Sequence, residues 1–410
     1  MKHYLPYALL IAPFAAQASA QNYFEARNSA MGGVGVASSK YKAAAFANPA
    51  LLTRFGEDDD FGVLLPAVGT FANDPTNFVD DVDAFVDEFD RIQQKFDSAT
   101  LPEPTPDELK ALADRLLELK GRELTLDVGF GFAASMPSDK FAWALHIKSY
   151  GDVTTFAEVD FDDAAAIEGA LGGGDLPTLG SDGRALGVIK TEAGVSLATQ
   201  YELSGMSLSV GVTPKYQRID TINYQVDLDN YNDDDFDADE YFNDDGAFNL
   251  DAGVLLGMNN GFVFGLMARD LIATEYESKI SYVDASGNSN QFTYEVGPSV
   301  TVGASWTYGW LTLASDLDLL AQERIKEPAG GIGSVGLEDD VQMWGIGAEF
   351  DLAKWVQLRA GYQTDLKDYL DDAITAGVGF ALFDTFHIEV AGMYIDDNSL
   401  GAVAQLSFTF

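Results

Sequence analysis

The sequence predicts an all-β protein: a transmembrane antiparallel β-barrel of about fourteen strands, with an N-terminal hatch and a helical hairpin in the first outer loop. Three observations predict it. The chain opens on an export signal, its body alternates apolar and polar residues over membrane-crossing lengths, and its last alternating segment ends on Phe410. The expected division is a signal peptide at 1–20, a hatch at 21–59 and a barrel at 60–410 carrying a helical insertion at about 78–120.

Lys2 and His3 supply the basic start of the signal, Leu5 to Ala16 its apolar stretch, and Ala18-Ser19-Ala20 small residues for cleavage before Gln21. That stretch is too short for a membrane helix, and no other run reaches the roughly 18 apolar residues such a helix needs. An exported chain of this kind is soluble, lipid-anchored or a barrel. The absence of cysteine removes the lipid anchor, along with disulfides, thiol chemistry and Cys-ligated metals.

The formal net charge of -41 excludes nucleic acid as a partner, because binding to phosphate needs a basic patch. It equally disfavours attachment to an anionic lipid surface by charge alone. Once His3 is lost with the signal, His146 and His387 remain, too few for a histidine-rich metal site.

The strands follow from period-two alternation. Phe141, Trp143, Leu145 and Ile147 alternate with Ala142, Ala144, His146 and Lys148; Trp344, Ile346, Ala348 and Phe350 alternate with small residues and Glu349. Val356, Leu358, Ala360 and Tyr362 alternate with Gln357, Arg359 and Gln363, and Leu400 to Phe410 repeats the pattern. In a membrane barrel the apolar set faces lipid and the polar set the lumen; in a soluble sandwich the apolar set is the core. Periodicity alone leaves both open. Runs of about 9–11 residues and the export signal favour the membrane.

Connection lengths predict sidedness. Met136–Asp139, Leu203–Gly205, Asn259–Gly261, Tyr308–Trp310, Asp351–Lys354 and Phe383–Asp384 are short, as periplasmic turns are. The intervening connections, Ala72–Arg122, Gly151–Arg184, Asp227–Gly246, Leu271–Gly297, Ala321–Asp340 and Asp365–Asp372, are mostly longer and charged. With a first strand near Asp60–Phe71, the count closes at about fourteen, an even number that leaves both termini in the periplasm. Strand-like segments at 278–283 and 291–296 are expected to form a hairpin outside the membrane.

Two segments break the β pattern. Val79, Val82, Phe85, Val86, Phe89, Ile92 and Phe96 recur at helical spacing. A second helix is expected from Pro106 to about Lys120, with Thr105 as N-cap and Glu108 completing a capping box. The pair is expected to pack on itself or across the barrel mouth, or to bind a partner.

The chain contains no nucleophile elbow, P-loop or H-E-x-x-H motif. Asp316 with Asp318, and His387 with Glu389, read as ordinary lumen polarity. The carboxylates of Asp227–Gly246 suit calcium in kind but not in spacing, and read as a solvated outer loop. No catalytic residue, metal site or cofactor is expected.

The hatch is the most informative stretch. Ala26 to Ala37 and Ala43 to Leu52 are rich in small residues that let backbone pack closely, and Asn48-Pro49 is a turn dipeptide. Gly32, Gly33, Asn48, Pro49 and Ala50 are the ligand-site candidates.

The run Met31-Gly32-Gly33-Val34-Gly35-Val36-Ala37, followed by Asn48-Pro49-Ala50, resembles the hatch of FadL-type outer-membrane transporters of hydrophobic compounds. More closely, the chain is similar to TraF-type conjugal-transfer outer-membrane proteins. That likeness includes Leu64 to Gly69 with Asn73-Asp74-Pro75, Gly265 to Leu271, Leu358 to Tyr362 and Ile374 to Phe380. The resemblance implies a fourteen-stranded plugged barrel in the outer membrane. It implies that small hydrophobic molecules bind or pass, or alternatively that the barrel is a structural component of a conjugal transfer or secretion apparatus. Expected partners are outer-membrane lipid, a hydrophobic small molecule and transfer-apparatus proteins. The thioredoxin-like periplasmic protein also called TraF carries cysteines; this chain has none, so no redox role transfers. A continuous apolar cavity beside the hatch would favour passage, and a filled lumen the structural role.

Overall fold

The structure, a computed structural model, describes residues 25–56, 59–74, 76–98, 100–171, 175–227, 238–280, 289–323, 325–326, 340–352, 355–383 and 385–410. The expected signal peptide lies outside the described residues.

Fourteen antiparallel strands close into a barrel. In chain order they are β1 (Gly62–Asn73), β2 (Glu123–Met136), β3 (Ala142–Glu158), β4 (Asp182–Leu203), β5 (Met206–Asp227), β6 (Phe242–Met258) and β7 (Phe262–Arg269). After two short strands outside the wall, β8 (Thr274–Glu277) and β9 (Thr293–Val296), come β10 (Ser299–Tyr308) and β11 (Leu311–Asp318). A third outside strand, β12 (Ile325–Lys326), precedes β13 (Met343–Asp351), β14 (Val356–Asp365), β15 (Ala373–Leu382), β16 (Phe386–Asp396) and β17 (Ser399–Thr409). Closure pairs β1 with β17, from Gly62 opposite Thr409 to Asn73 opposite Ser399. Phe410 completes the seam: its carbonyl accepts from the N–H groups of Asp60 (2.6 Å) and Phe61 (2.9 Å).

The alternation sorts as expected. Leu145 and Ile147 are exposed on the outer surface, while Ala144, His146 and Lys148 are buried in the lumen. Aromatic side chains gather at the turn end of the wall, where Trp306 stacks on Tyr308 and Trp310 on Phe350, both at 5.8 Å between ring centres. Such girdles mark a membrane interface. The β1 register breaks against both neighbours between Leu64 and Ala67 or Val68, around Pro66, which has no N–H for the ladder.

Two expectations need correction. The wall beyond Gly151 is not loop: β3 continues to Glu158, opposite Asp182, and β4 and β5 each run 22 residues. The connection read as Asp227–Gly246 is correspondingly shorter, because β6 begins at Phe242; within it, 228–237 lie outside the described residues and Ala238–Tyr241 form a helical turn. Above the lipid a strand needs no apolar outer face, so the alternation fades while the hydrogen-bonded ladder continues.

The loop end carries three helices, α3 (Phe78–Asp97), α4 (Pro106–Glu118) and α5 (Phe161–Gly169). The Thr105–Glu108 capping box is present in both directions. Phe85, Ile92, Leu109, Leu112 and Leu116 pack together with Ile167 of α5 and with Val159 at the top of the wall. The hairpin therefore packs on itself, joined by a short helix that the sequence pattern did not suggest. Strands β8, β9 and β12 form a separate sheet. Its Tyr276, Tyr294 and Val296 pack with Phe292 against Phe156, Leu186 and Ile219 of the wall. The hairpin lies outside the wall as expected and gains one strand, but its first strand is 274–277 rather than 278–283, of which 281–283 lie outside the described residues.

Candidate functional site

Residues 25–56 form a plug inside the barrel, built from α1 (Ala26–Ser29), a 3-10 turn at Tyr41–Ala43, α2 (Ala44–Ala47) and a 3-10 helix at Pro49–Thr53. These elements are almost wholly buried, although helices this short hold little stability alone. What holds them is the wall.

The first anchor is ionic. Arg27 donates to both oxygens of Glu349 on β13, Nε to Oε2 at 2.7 Å and its terminal nitrogen to Oε1 at 3.1 Å. Arg359 on β14 donates to the same Glu349 at 2.7 Å and to Glu389 on β16 at 2.9 Å. Two buried guanidinium groups and two buried carboxylates thus neutralise one another, a geometry in which a lone charge would be costly. Glu25 caps α1 by accepting from the N–H of Asn28 at 2.7 Å. Burial, reinforced by the nearby Glu389, raises its carboxyl to about 7; the Asn28 bond and Arg27 act in the opposite direction.

The second anchor is steric. Gly32 and Gly33 adopt positive φ (72° and 76°), a region costly for side-chain-bearing residues. A Cβ at Gly32 would lie 2.5 Å from the carbonyl oxygen of Tyr362 and 2.7 Å from that of Ile346. The wall answers with glycines of its own. Gly345, Gly347 and Gly361 face the backbone of Met31 and Gly32 so closely that none could carry a Cβ unmoved. Further round, Gly265 and Gly303 receive Val36, Gly211 and Gly253 receive Asn48 to Ala50, and Gly131 receives the ring of Phe46. The plug crosses the lumen from the β13–β17 side to the β4–β7 side, seated on glycine along the way.

Asn48 is the third anchor. It is fully buried, and its Oδ1 accepts from the N–H of Ala50 at 3.0 Å, capping the 3-10 helix that Pro49 begins. Its amide nitrogen faces the carbonyls of Val36 (3.1 Å), Val254 and Leu266 (both 3.4 Å). Asn48, Pro49 and Ala50 therefore sit together on β5 and β6, whereas Gly32 and Gly33 meet β13 and β14: the five candidates form two separate contacts, not one pocket.

Two polar pairs that the sequence singled out hold structure. Asp316 accepts from the N–H groups of Gly35 (2.6 Å) and Val36 (2.8 Å), and Asp318 accepts from Thr301 at 2.6 Å. Glu389 belongs to the arginine network, while His387 meets Thr409 at 3.2 Å. On the loop side of the plug, Lys215 lies within 3.1 Å of Glu192, 2.8 Å of Asp251 and 2.7 Å of Asp270, and Lys190 within 2.7 Å of Asp270. Sequence reasoning missed both networks. Their only signal was charge on lumen-facing positions, which names no partner.

Cavities lie on both sides of the plug. The turn-side vestibule has a volume of about 850 Å³ and a polar lining that includes Lys40, Lys42, Arg54, Asp351 and His387. The loop-side chamber, about 80 Å³, lies between the wall and the β8–β9–β12 sheet and touches Tyr150, Arg269 and Tyr294. Among the described residues the lumen thus shows neither one continuous apolar cavity nor a solid filling. Among the described residues no cluster of His, Cys, Asp or Glu has the geometry to hold a metal ion.

No curated protein matches the chain in sequence. Among solved structures, the Ralstonia pickettii toluene transporter TbuX is similar at 14% identity and a TM-score of 0.55, over 95% of this chain and 99% of that one. The Pseudomonas putida toluene transporter TodX is similar at 13% identity and 0.53, over 97% and 98%. A Pseudomonas aeruginosa FadL homologue follows at 12% and 0.53, over 94% and 98%. These likenesses show a shared barrel fold. A family model described as "F plasmid transfer operon, TraF, protein" matches residues 45–318, from the middle of the plug to the end of β11, and the chain belongs to this TraF family.

Proposed function

We propose that this protein resides in the outer membrane and passes small hydrophobic molecules across it, with its turns in the periplasm and its helical layer outside. In this reading residues 1–20 are a cleaved signal and residues 21–59 are the hatch. The observation that carries it is a plug drawn from one stretch of chain, with a vestibule on its turn side and a small chamber on its loop side. The short turns opposite longer, charged loops support the sidedness. The barrels that share the architecture include toluene transporters, which makes single-ring hydrocarbons the first probes.

Passage requires the plug to shift, because its backbone lies against the wall glycines without a gap. Asn48 and Arg27 are the bonds that such a shift breaks. The test is entry of a hydrophobic fluorescent tracer into cells whose outer leaflet of lipopolysaccharide is intact, with wild-type protein, the Asn48→Ala variant and a deletion of 25–56. Tracer entry that rises in both variants supports passage. Entry equal to that of cells lacking the protein in all three, with folded barrels throughout, sinks it and promotes a structural role in a transfer apparatus.

A further inference from the structure

The plug is basic in an acidic protein. Between residues 25 and 56 stand Arg27, Lys40, Lys42 and Arg54 against the single carboxylate of Glu25, a net charge of +3 in a chain of net charge -41. Arg27 is spent on Glu349. The other three all line the turn-side vestibule. Lys42 is 6% exposed, and its ammonium reaches Ser407 Oγ at 2.6 Å. Among the described residues no carboxylate comes within 4.0 Å of it. An ammonium has three N–H donors, so two remain to be satisfied in a buried position. Lys40 stands 3.9 Å from Glu349, a carboxylate already shared by two arginines.

The vestibule's carboxylates are arranged differently. Of its carboxylates, Glu349 and Glu389 are held by Arg27 and Arg359, Asp139, Glu202 and Asp351 sit at or beside the turns that form its rim, and Asp59 stands just before β1, while the lysines sit on the plug, its ceiling. A small anion that passes the rim meets the buried Lys42 ammonium, whose one hydrogen-bond partner among the described residues is Ser407, beside the exposed side chains of Lys40 and Arg54. A polyanion or an acidic peptide would lie across the rim and be repelled. The volume of about 850 Å³ falls in the range of pockets that enclose an organic small molecule.

We propose that the vestibule beneath the plug binds a small organic oxyanion, a carboxylate or a phosphate monoester, through Lys42 with Lys40 and Arg54. This site needs no movement of the plug, so it stands or falls apart from the passage of hydrophobic molecules.

The experiment is fluorine NMR titration of the folded full-length barrel in a neutral detergent, with 4-fluorobenzoate, 4-fluorophenyl phosphate and 4-fluorotoluene as probes. Saturable binding of one or both anions, undiminished by excess fluorotoluene, is expected; which anion binds tighter identifies the source. Lys42→Gln is expected to weaken it about tenfold, as loss of a charged hydrogen bond does, and Lys42→Arg to retain it. Asp351→Asn on the rim is expected to tighten it. A heat-modifiability gel checks folding, and the Lys40→Gln/Arg54→Gln pair serves if Lys42→Gln misfolds. The proposal is overturned by the absence of saturation in the millimolar range, by displacement with fluorotoluene, or by unchanged affinity in the folded glutamine variants.

Discussion

Arg27 and Glu349, 322 positions apart, form a two-bond ion pair that ties the plug to β13, and Arg359 holds the same carboxylate from β14. Arg27→Met should leave the barrel assembled but free the plug, because Glu349 keeps one guanidinium. Glu349→Gln should cost more, since two buried cations then share a neutral amide; about 3–5 kcal/mol is typical when one member of a buried pair is removed. Single-channel recordings should show larger, noisier conductance for both, and the temperature of the heat-modifiability shift should fall further for Glu349→Gln. Silent recordings from both variants would detach the pair from plug anchoring.

Gly361→Ala should dislodge the plug without opening the wall. Its new methyl would collide with the backbone of Met31 and Gly32, whereas Gly392→Ala meets its nearest atom, the Gly401 carbonyl oxygen, at an ordinary 3.6 Å. Overpacking of this kind costs roughly 1–3 kcal/mol. Protease sensitivity of the 25–56 segment in folded barrels should rise for Gly361→Ala alone.

Asn48→Asp should be worse than Asn48→Ala. The alanine loses the cap of the 3-10 helix, about 1 kcal/mol. The aspartate keeps the cap but turns an oxygen towards the carbonyls of Val36, Val254 and Leu266. Tracer entry should therefore rank aspartate above alanine above wild type, and the reverse order would remove Asn48 from the latch.

The helical layer at the loop end should loosen in acid. Glu108 is held well below the ordinary carboxylate value of 4.5 by the Lys95 ammonium first, then the N–H of Thr105 and the Arg91 guanidinium. A depressed folded value means the stabilisation is complete above 4.5 and disappears as pH falls through the folded value. Hydrogen exchange of α4, extrapolated to a common intrinsic rate, should accelerate below about pH 4.5 in wild type. Glu108→Gln should be faster at neutral pH and lack that transition.

Deleting Phe410 should impair closure, because its carbonyl is the only acceptor of the Asp60 and Phe61 N–H groups at the seam among the described residues. The folded band on a heat-modifiability gel should weaken, and undiminished folding would assign closure to the remaining β1–β17 ladder.

The sequence disclosed what is local. Leu145 and His146 announce opposite faces by adjacency, Thr105 and Glu108 announce a helix start by spacing, and Gly205, Gly261 and Gly309, all with positive φ, mark tight turns. Relations between distant segments stayed hidden. Gly361 looks like any small lumen residue until Met31 lies against it, and Arg359 could have served any of 65 carboxylates. The long β4–β5 hairpin was underestimated because ladder bonds leave no mark on side-chain pattern once lipid no longer demands an apolar face. Helix α5 escaped because nine residues with two buried apolar side chains, Ala164 and Ile167, carry too little periodicity.

The plug's fit to both halves of the wall has a chronological consequence. Its glycine seats belong to strands synthesised early, such as β5 and β6, and late, such as β14. A ring that is already shut offers no way to press a segment onto all of them at once. Rolling the cylinder around this segment seats it on all of them, with Phe410 fastening the roll beside Asp60. The plug is then a mandrel as much as a gate, and its removal should lower the yield of finished barrels even where every strand is intact.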